Sequence, residues 1–224
     1  MTAKAESPVV LGIDTAIAVN VGLATGDQVL AAATVADARA HAEQLMPLVN
    51  QCLAEGGCRL ADVDHLVVGM GPGPFTGLRV GIATAQILST VRSIPMHGVC
   101  SLDVLAAQYA TQWAPEDAFV VATDARRREV YWAHYAAAGA RRDGPHVGSP
   151  DDVPHIPIIG PAVELYPDRL FVALGPRALD PGVLATAGLR LPSVGSEPLY
   201  LRRADATEPT RRKSVLVRRP ARRA

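Results

Sequence analysis

The chain has 224 residues, room for one large domain or two small ones, and 49% of them are apolar, so a substantial core can form. Lys plus Arg and Asp plus Glu each number 22, so no overall field draws the chain to nucleic acid or to an anionic membrane. No run approaches the roughly 18 apolar residues of a membrane span, and the N-terminus lacks the apolar stretch of a secretory signal. Cys52, Cys58 and Cys100 form no C-x-x-C pair and suit reduced thiols of a cytoplasmic protein better than a disulfide or zinc framework.

In chain order, Pro8 to Asp14 is an apolar run ending in a carboxylate, as expected of a central strand that presents Asp14 and Thr15 to a cleft. Val19, Val21 and Leu23 alternate with small or polar residues, and Gln28 to Val35 returns after the Thr25-Gly-Asp27 turn, which predicts a hairpin. A strand, a hairpin and then a helix is how actin-like domains open. The helix is expected over His41–Glu55, with Leu45, Leu48, Val49 and Cys52 at helical spacing and Gly56-Gly57 as its stop. Pro47 is expected near its first turn or at a local kink, because an interior proline loses a hydrogen bond. A strand at His65–Gly69 feeds a glycine-proline corner, Gly71-Pro-Gly-Pro74, and a second helix that ends near Ser89–Arg92. A strand at Ile94–Val99 and a helix at Ser101–Trp113 complete the first half.

The second half repeats the opening logic. Phe119–Asp124 is again an apolar run ending in Asp, and Val130–Tyr135 runs back after a polar turn, so an internal duplication with a shortened second copy is indicated. From Gly144 to Pro161 the Pro, Gly and Asp content predicts loop with one short strand at Ile156–Ile159. A strand at Leu170–Leu174 and a short helix at Pro181–Leu189 are expected further on.

The glycine-proline corner has the neighbourhood of a phosphate cradle, strand before and helix after. Pro72 and Pro74 delete two amide donors where a cradle needs them, and no Gly-Lys-Ser/Thr ending follows, so a rigid corner is the favoured reading. Asp14, Thr15 and Asp124 are candidate nucleotide contacts across a cleft, against the plainer alternative that both carboxylates cap turns. None of the six histidines makes an H-x-x-x-H or H-E-x-x-H pair, so no metal site and no self-sufficient catalytic set is expected. Asp103 and Glu43 read as surface charges on helices, Arg126-Arg-Arg-Glu129 as a solvated turn or a contact for phosphate or RNA. Gly77, Gly81, Ala85 and Ser89 recur every four residues and share one helix face that admits close approach of another helix.

Leu11-Gly-Ile-Asp-Thr15, His41-Ala-Glu-Gln-Leu-Met-Pro47, Gly69-Met-Gly-Pro-Gly-Pro-Phe-Thr-Gly-Leu-Arg-Val-Gly81 and Asp124-Ala-Arg…Glu-Val-Tyr131 resemble the TsaB (YeaZ) family. Weaker matches, such as Pro198-Leu-Tyr-Leu-Arg-Arg203, extend the resemblance to about Ala206. It implies an α/β, actin-like ATPase (ASKHA, RNase H-like) fold in two lobes. The first is expected over 1–113 and carries partner-docking helices; a shortened second lobe covers 114–206, and a basic, disordered tail 207–224. The catalytic relative TsaD carries a metal-binding H-x-x-x-H after a Gly-Val; here Ser101 and Leu105 stand at those places.

By the resemblance the chain is a non-catalytic partner that activates a TsaD-like subunit in making threonylcarbamoyladenosine in tRNA, with a TsaE-like ATPase joining the pair. It meets tRNA indirectly through that complex and forms a homodimer when alone. Leu45, Leu48, Gly77, Leu78, Gly81, Ile82, Ala85 and Ser89 are expected at the partner interface, and ATP or ADP at the joint surface. The alternatives are a stand-alone actin-like ATPase or kinase using Asp14 and Asp124 and, ranked last, a glycoprotease-like peptidase.

Overall fold

The computed structural model of the chain describes residues 7–36 and 41–202. The segment 207–224, expected as a basic tail, lies outside the described residues. Two mixed sheets organise the chain, with strand orders β3-β2-β1-β4-β5 and β8-β7-β6-β9. In the first, β1 (Val9–Asp14) pairs antiparallel with β2 (Val19–Thr25), β2 with β3 (Gln28–Val35), and β1 parallel with β4 (His65–Gly69), which in turn pairs parallel with β5 (Met96–Val99). In the second, β6 (Phe119–Asp124) pairs antiparallel with β7 (Val130–Tyr135), β7 with β8 (Arg141–Gly148), and β6 parallel with β9 (Ile158–Ile159). The order 8-7-6-9 repeats 3-2-1-4 with the last strand missing, so the duplication read from two Asp-ended strands extends to topology.

Period-two alternation decides which helices cover which face. Leu11, Ile13, Leu66 and Val68 point into a core closed by α1 (His41–Glu55) and α2 (Phe75–Arg92). Val10 and Val67, one residue out of step, meet Val104 of α3 (Ser101–Trp113) and Leu184 of α5 (Pro181–Ala187) on the opposite face. α5 was expected within a second lobe; it lies instead on the first sheet, and Gly22 is what lets it in, since a Cβ there would meet the Pro181 carbonyl oxygen at 1.9 Å. Other α3 residues, Leu102, Leu105, Ala106 and Tyr109, pack on Phe119, Val121 and Tyr135 of the second sheet. α3 is thus the wedge between the two sheets. The second sheet's other face takes the four-residue α4 (Ala162–Leu165), where Val163 joins Val120 and Ala122 together with Val153 and Leu170.

Three local expectations meet a different outcome in the structure. Residues 141–148 form strand β8 although Gly144-Pro145 reads as loop. β8 is an edge strand, where a missing amide donor leaves no ladder bond unmade on the open side. Leu170–Leu174 contributes a single bridge, Ile158 to Val172, rather than a strand. Pro47, expected near the first turn of α1 or at a local kink, sits beyond the first turn on the helix's exposed side.

Candidate functional site

Asp14 ends β1 at the inner edge of the first sheet and is 1% exposed. Its Oδ1 accepts the Ala16 amide at 2.8 Å and its Oδ2 accepts the Ser101 hydroxyl at 2.5 Å. Gly69 on β4 leaves the carboxylate its space, because a Cβ there would lie 1.8 Å from Oδ2. Ser101, the first residue of α3, also receives the Gly71 amide at 3.2 Å, while its own amide donates to the Gly71 carbonyl at 2.8 Å. The glycine-proline corner is therefore pinned to β1 and α3 by protein groups, and its Gly71 amide points at Ser101 rather than outward. Ser101 is thus a partner of Asp14, and Leu105, one turn on, is a core residue.

Between the sheets Asp14, Ser101 and Leu105 share a cavity of about 70 Å³ with Ile17, Thr123, Arg177 and Leu179. Thr123 Oγ1 and Arg177 Nη1 are buried there without a hydrogen-bond partner among the described residues. Enclosed small-molecule sites run to about 300–1,000 Å³, and this cavity is smaller. Asp124, expected to face Asp14, does not line it. Its Oδ1 accepts the Arg126 amide at 2.8 Å and its Oδ2 pairs with the Arg126 guanidinium at 3.1 Å. Asp14 and Asp124 thus make the same turn with the amide two residues on, once in each copy of the duplication. The geometry supports turn-capping carboxylates, and the expected nucleotide set of Asp14, Thr15 and Asp124 is not assembled.

The small-residue stripe of α2 is real, but it faces inward. Gly77, Leu78, Gly81, Ile82 and Ala85 are all buried, as are Leu45 and Leu48 of α1, and Ser89 is half-buried, its hydroxyl donating to the Ile94 carbonyl at 2.7 Å. Thr15 occupies the groove the glycines leave. Its hydroxyl donates to the Gly77 carbonyl at 2.8 Å, and a Cβ on Gly81 would come within 2.2 Å of Thr15 Oγ1. Of these positions, expected at a partner interface, Gly77 and Gly81 bring β1 and α2 together within the chain, and Leu45, Leu48, Leu78, Ile82 and Ala85 lie in its core. The outward side of α2 carries Ile87, 62% exposed, and Val91, 73% exposed, four residues apart and hence on one face. On α1, Met46 is an exposed large apolar residue.

Asp103, read as a surface charge, is 2% exposed. Its Oδ1 accepts the Tyr135 hydroxyl at 2.8 Å and lies 3.1 Å from Arg141 Nε, tying α3 to β7 and β8. Burial pushes its carboxyl pKa up, against the opposing pull of Tyr135 and Arg141. The signal available in sequence was its spacing: Asp103 falls between Leu102 and Val104 on a helix buried on nearly all sides.

A second concavity, of about 270 Å³, opens where Gly73–Phe75, the Ala125–Arg127 turn and Tyr200–Arg202 converge. Arg126, Arg127 and Arg128 all hold left-handed backbone, with φ of 61°, 54° and 64°. That conformation costs roughly 1–2 kcal/mol for each residue with a Cβ. Phe75 and Tyr200 pack with ring centroids 4.9 Å apart, and the Arg79 guanidinium lies 3.6 Å over Phe75. The carboxy-terminal stretch is held here by the Leu199 amide on the Met70 carbonyl at 2.8 Å and by Arg79 Nε on the Tyr200 hydroxyl at 3.0 Å.

Paired sheets of this order around a wedge helix define an actin-like ATPase-fold protein with its central cleft closed. Comparison with known proteins specifies the group. The family model described as TsaD, tRNA N6-adenosine threonylcarbamoyltransferase, matches residues 29–162. An uncharacterised protein of Mycobacterium tuberculosis is 42% identical over 209 residues, covering 91% of this chain and 96% of that protein. The tRNA threonylcarbamoyladenosine biosynthesis protein TsaB of Escherichia coli is 41% identical over 97 residues, 43% of this chain and 42% of that protein. Among solved structures, YeaZ from Pseudomonas aeruginosa superimposes with a TM-score of 0.70 at 28% identity, over 87% of this chain and 100% of that one. The chain belongs to the TsaB (YeaZ) family of tRNA threonylcarbamoyladenosine biosynthesis proteins.

Proposed function

We propose that the chain is a non-catalytic partner subunit that binds and activates a TsaD-like subunit in forming N6-threonylcarbamoyladenosine in tRNA. The observation that carries this reading is the pair Ile87 and Val91, exposed on a helix whose other face is already committed to the core. An apolar pair at that exposure on adjacent turns is what a helical partner covers. In this reading the outward sides of α1 and α2, with Met46, Ile87 and Val91, meet helices of the TsaD-like subunit. The same surface pairs two copies of the chain in its absence.

The closed cleft supports the non-catalytic part. Asp14 is engaged by Ser101 and Ala16, and the cavity beside it is about 70 Å³. We therefore place ATP or ADP at the surface shared with the TsaD-like and TsaE-like subunits, and the complex in the cytoplasm with its tRNA. The test is reconstitution of tRNA modification from purified TsaD-like and TsaE-like subunits with and without this chain. Omission is expected to abolish product, and full activity without the chain would overturn the proposal.

A further inference from the structure

We propose that the outer edge of the second sheet, at Val172, takes up an extended segment of a partner protein in which apolar residues alternate with lysine or arginine. The edge belongs to the sheet that α1 and α2 do not cover, so it is separate from the surface assigned to the TsaD-like subunit.

The internal duplication shows what belongs at this edge. In the first sheet β5 pairs parallel with β4, and the chain itself fills the outer side of β5. There Val99 bridges antiparallel to Ser193, the Val194 amide donates to the Gly98 carbonyl at 2.9 Å, and Val194 packs inward on the core. In the second sheet Val172 holds the place of β5, bridged parallel to Ile158 of β9. The Ile158 amide donates to the Phe171 carbonyl and the Ala173 amide to the Ile158 carbonyl, both at 2.9 Å. That pattern turns the amide and carbonyl of Val172 outward, and among the described residues neither has a hydrogen-bond partner. An edge with donor and acceptor unpaired is a template for one more strand. The chain supplies that strand to the first sheet; among the described residues it supplies none to the second.

Side chains and charge define the occupant. Leu174 is 81% exposed, and Phe171 and Val172 are exposed beside it. Gly175 carries the segment over α3: a Cβ there would stand 3.0 Å from the Tyr109 ring, which packs on the exposed Trp113 with centroids 5.9 Å apart. The apolar strip therefore runs from the edge onto the end of α3, unlike the scattered single exposures of an ordinary surface. Its rim is acidic. Glu116 and Asp117 follow closely on Trp113, and Glu164 and Asp168 come shortly before Phe171. All four are exposed, and none makes an ion pair among the described residues. Arg169 and Arg177, which flank the edge in sequence, are held by Asp151 and by the Ala173 carbonyl. Unpaired carboxylates around an apolar strip select cationic side chains, whereas a second copy brings the same carboxylates against themselves.

The test is NMR of the isotope-labelled full chain titrated with a peptide of alternating lysine and valine, acetyl-Lys-Val-Lys-Val-Lys-Val-Lys-amide. Wild type is expected to bind with an affinity that falls as salt is added. In the complex the Val172 amide is expected to exchange with solvent about ten-fold more slowly or less. The same peptide N-methylated at alternate residues keeps its charge and loses its ladder donors. It is expected to bind about ten-fold more weakly or worse, for the loss of two backbone hydrogen bonds. Val172→Pro removes the outward donor without breaking an existing bond, and Leu174→Asp keeps the donor while removing an exposed apolar contact. Each is expected to weaken binding about five-fold or more, and circular dichroism melting shows whether each is folded. The proposal is overturned if wild type does not bind the peptide, if the N-methylated peptide binds as well as its parent, or if folded Leu174→Asp binds as wild type. Sedimentation reads the competing occupant. A wild-type dimer that Leu174→Asp converts to monomer, with the peptide unbound, overturns the proposal in favour of a second copy at this edge.

Discussion

Gly81→Ala is the sharpest probe of how β1 and α2 are joined. In a solvent-facing helix interior the change stabilises by about 1 kcal/mol. Here the new Cβ would sit 2.2 Å from Thr15 Oγ1 and 3.0 Å from its Cγ2, in a side chain 1% exposed. Thr15 is not free to swing away, because its hydroxyl donates to the Gly77 carbonyl at 2.8 Å. Overpacking of this kind costs roughly 1–3 kcal/mol, and rotating Thr15 loses a buried hydrogen bond of about 1 kcal/mol. The net expectation is destabilisation by about 1–3 kcal/mol, seen in urea unfolding as a lower midpoint at unchanged slope. Thr15→Ala alone should cost about 1 kcal/mol. The double variant should be no worse than Thr15→Ala, giving a coupling of about 2 kcal/mol between the sites. Gly81→Leu should unfold the chain outright. The reasoning is refuted if Gly81→Ala raises stability, or if the two substitutions are additive.

Asp103→Ala should destabilise by about 3 kcal/mol, the lower end for a broken buried pair because Arg141 retains some exposure; thermal melting measures it. Because the folded-state pKa of Asp103 is raised, the native chain holds this proton more tightly than the unfolded one. Its contribution is present below the ordinary carboxylate pKa of 3.8 and is lost as pH rises through the raised value. Urea midpoints should therefore fall across that window in wild type, and Asp103→Asn should flatten the trend. Burial pushes the thiols of Cys52 and Cys100 up to about 11 and about 12, whereas Cys58 is half-buried. An aromatic disulfide reagent at pH 8 should then titrate one thiol per native chain and three after unfolding; rapid reaction of two or more in the native state would contradict the burial.

Much of the fold was legible in residue order. The apolar runs ending in Asp14 and Asp124, the hairpin alternation and the glycine-stopped helix correspond to β1, β6, the β2–β3 pair and α1. β8 was not, because turn-forming Gly144-Pro145 is tolerated at a sheet edge that only topology reveals. The stripe Gly77–Gly81–Ala85 was legible as a shared face, but not its direction. Close approach to one's own strand and close approach to a partner need the same small residues, and it is Thr15 in the groove that separates them. Asp103 was missed because its partners Tyr135 and Arg141 are remote in sequence, although its apolar neighbours Leu102 and Val104 were in view. The convergence of Phe75, Arg126 and Tyr200 joins three distant segments and has no local signature.

The docking of α2 to a TsaD-like subunit is the claim on which the functional account turns. Its most direct measurement is isothermal titration of that subunit with wild type and with the Ile87→Asp, Val91→Asp double variant. Both side chains are mostly exposed, so the double variant is expected to keep the wild-type melting temperature to within a few degrees. The account predicts that it loses at least a hundred-fold in affinity, and tRNA modification with it. Wild-type affinity in a folded double variant would contradict the account.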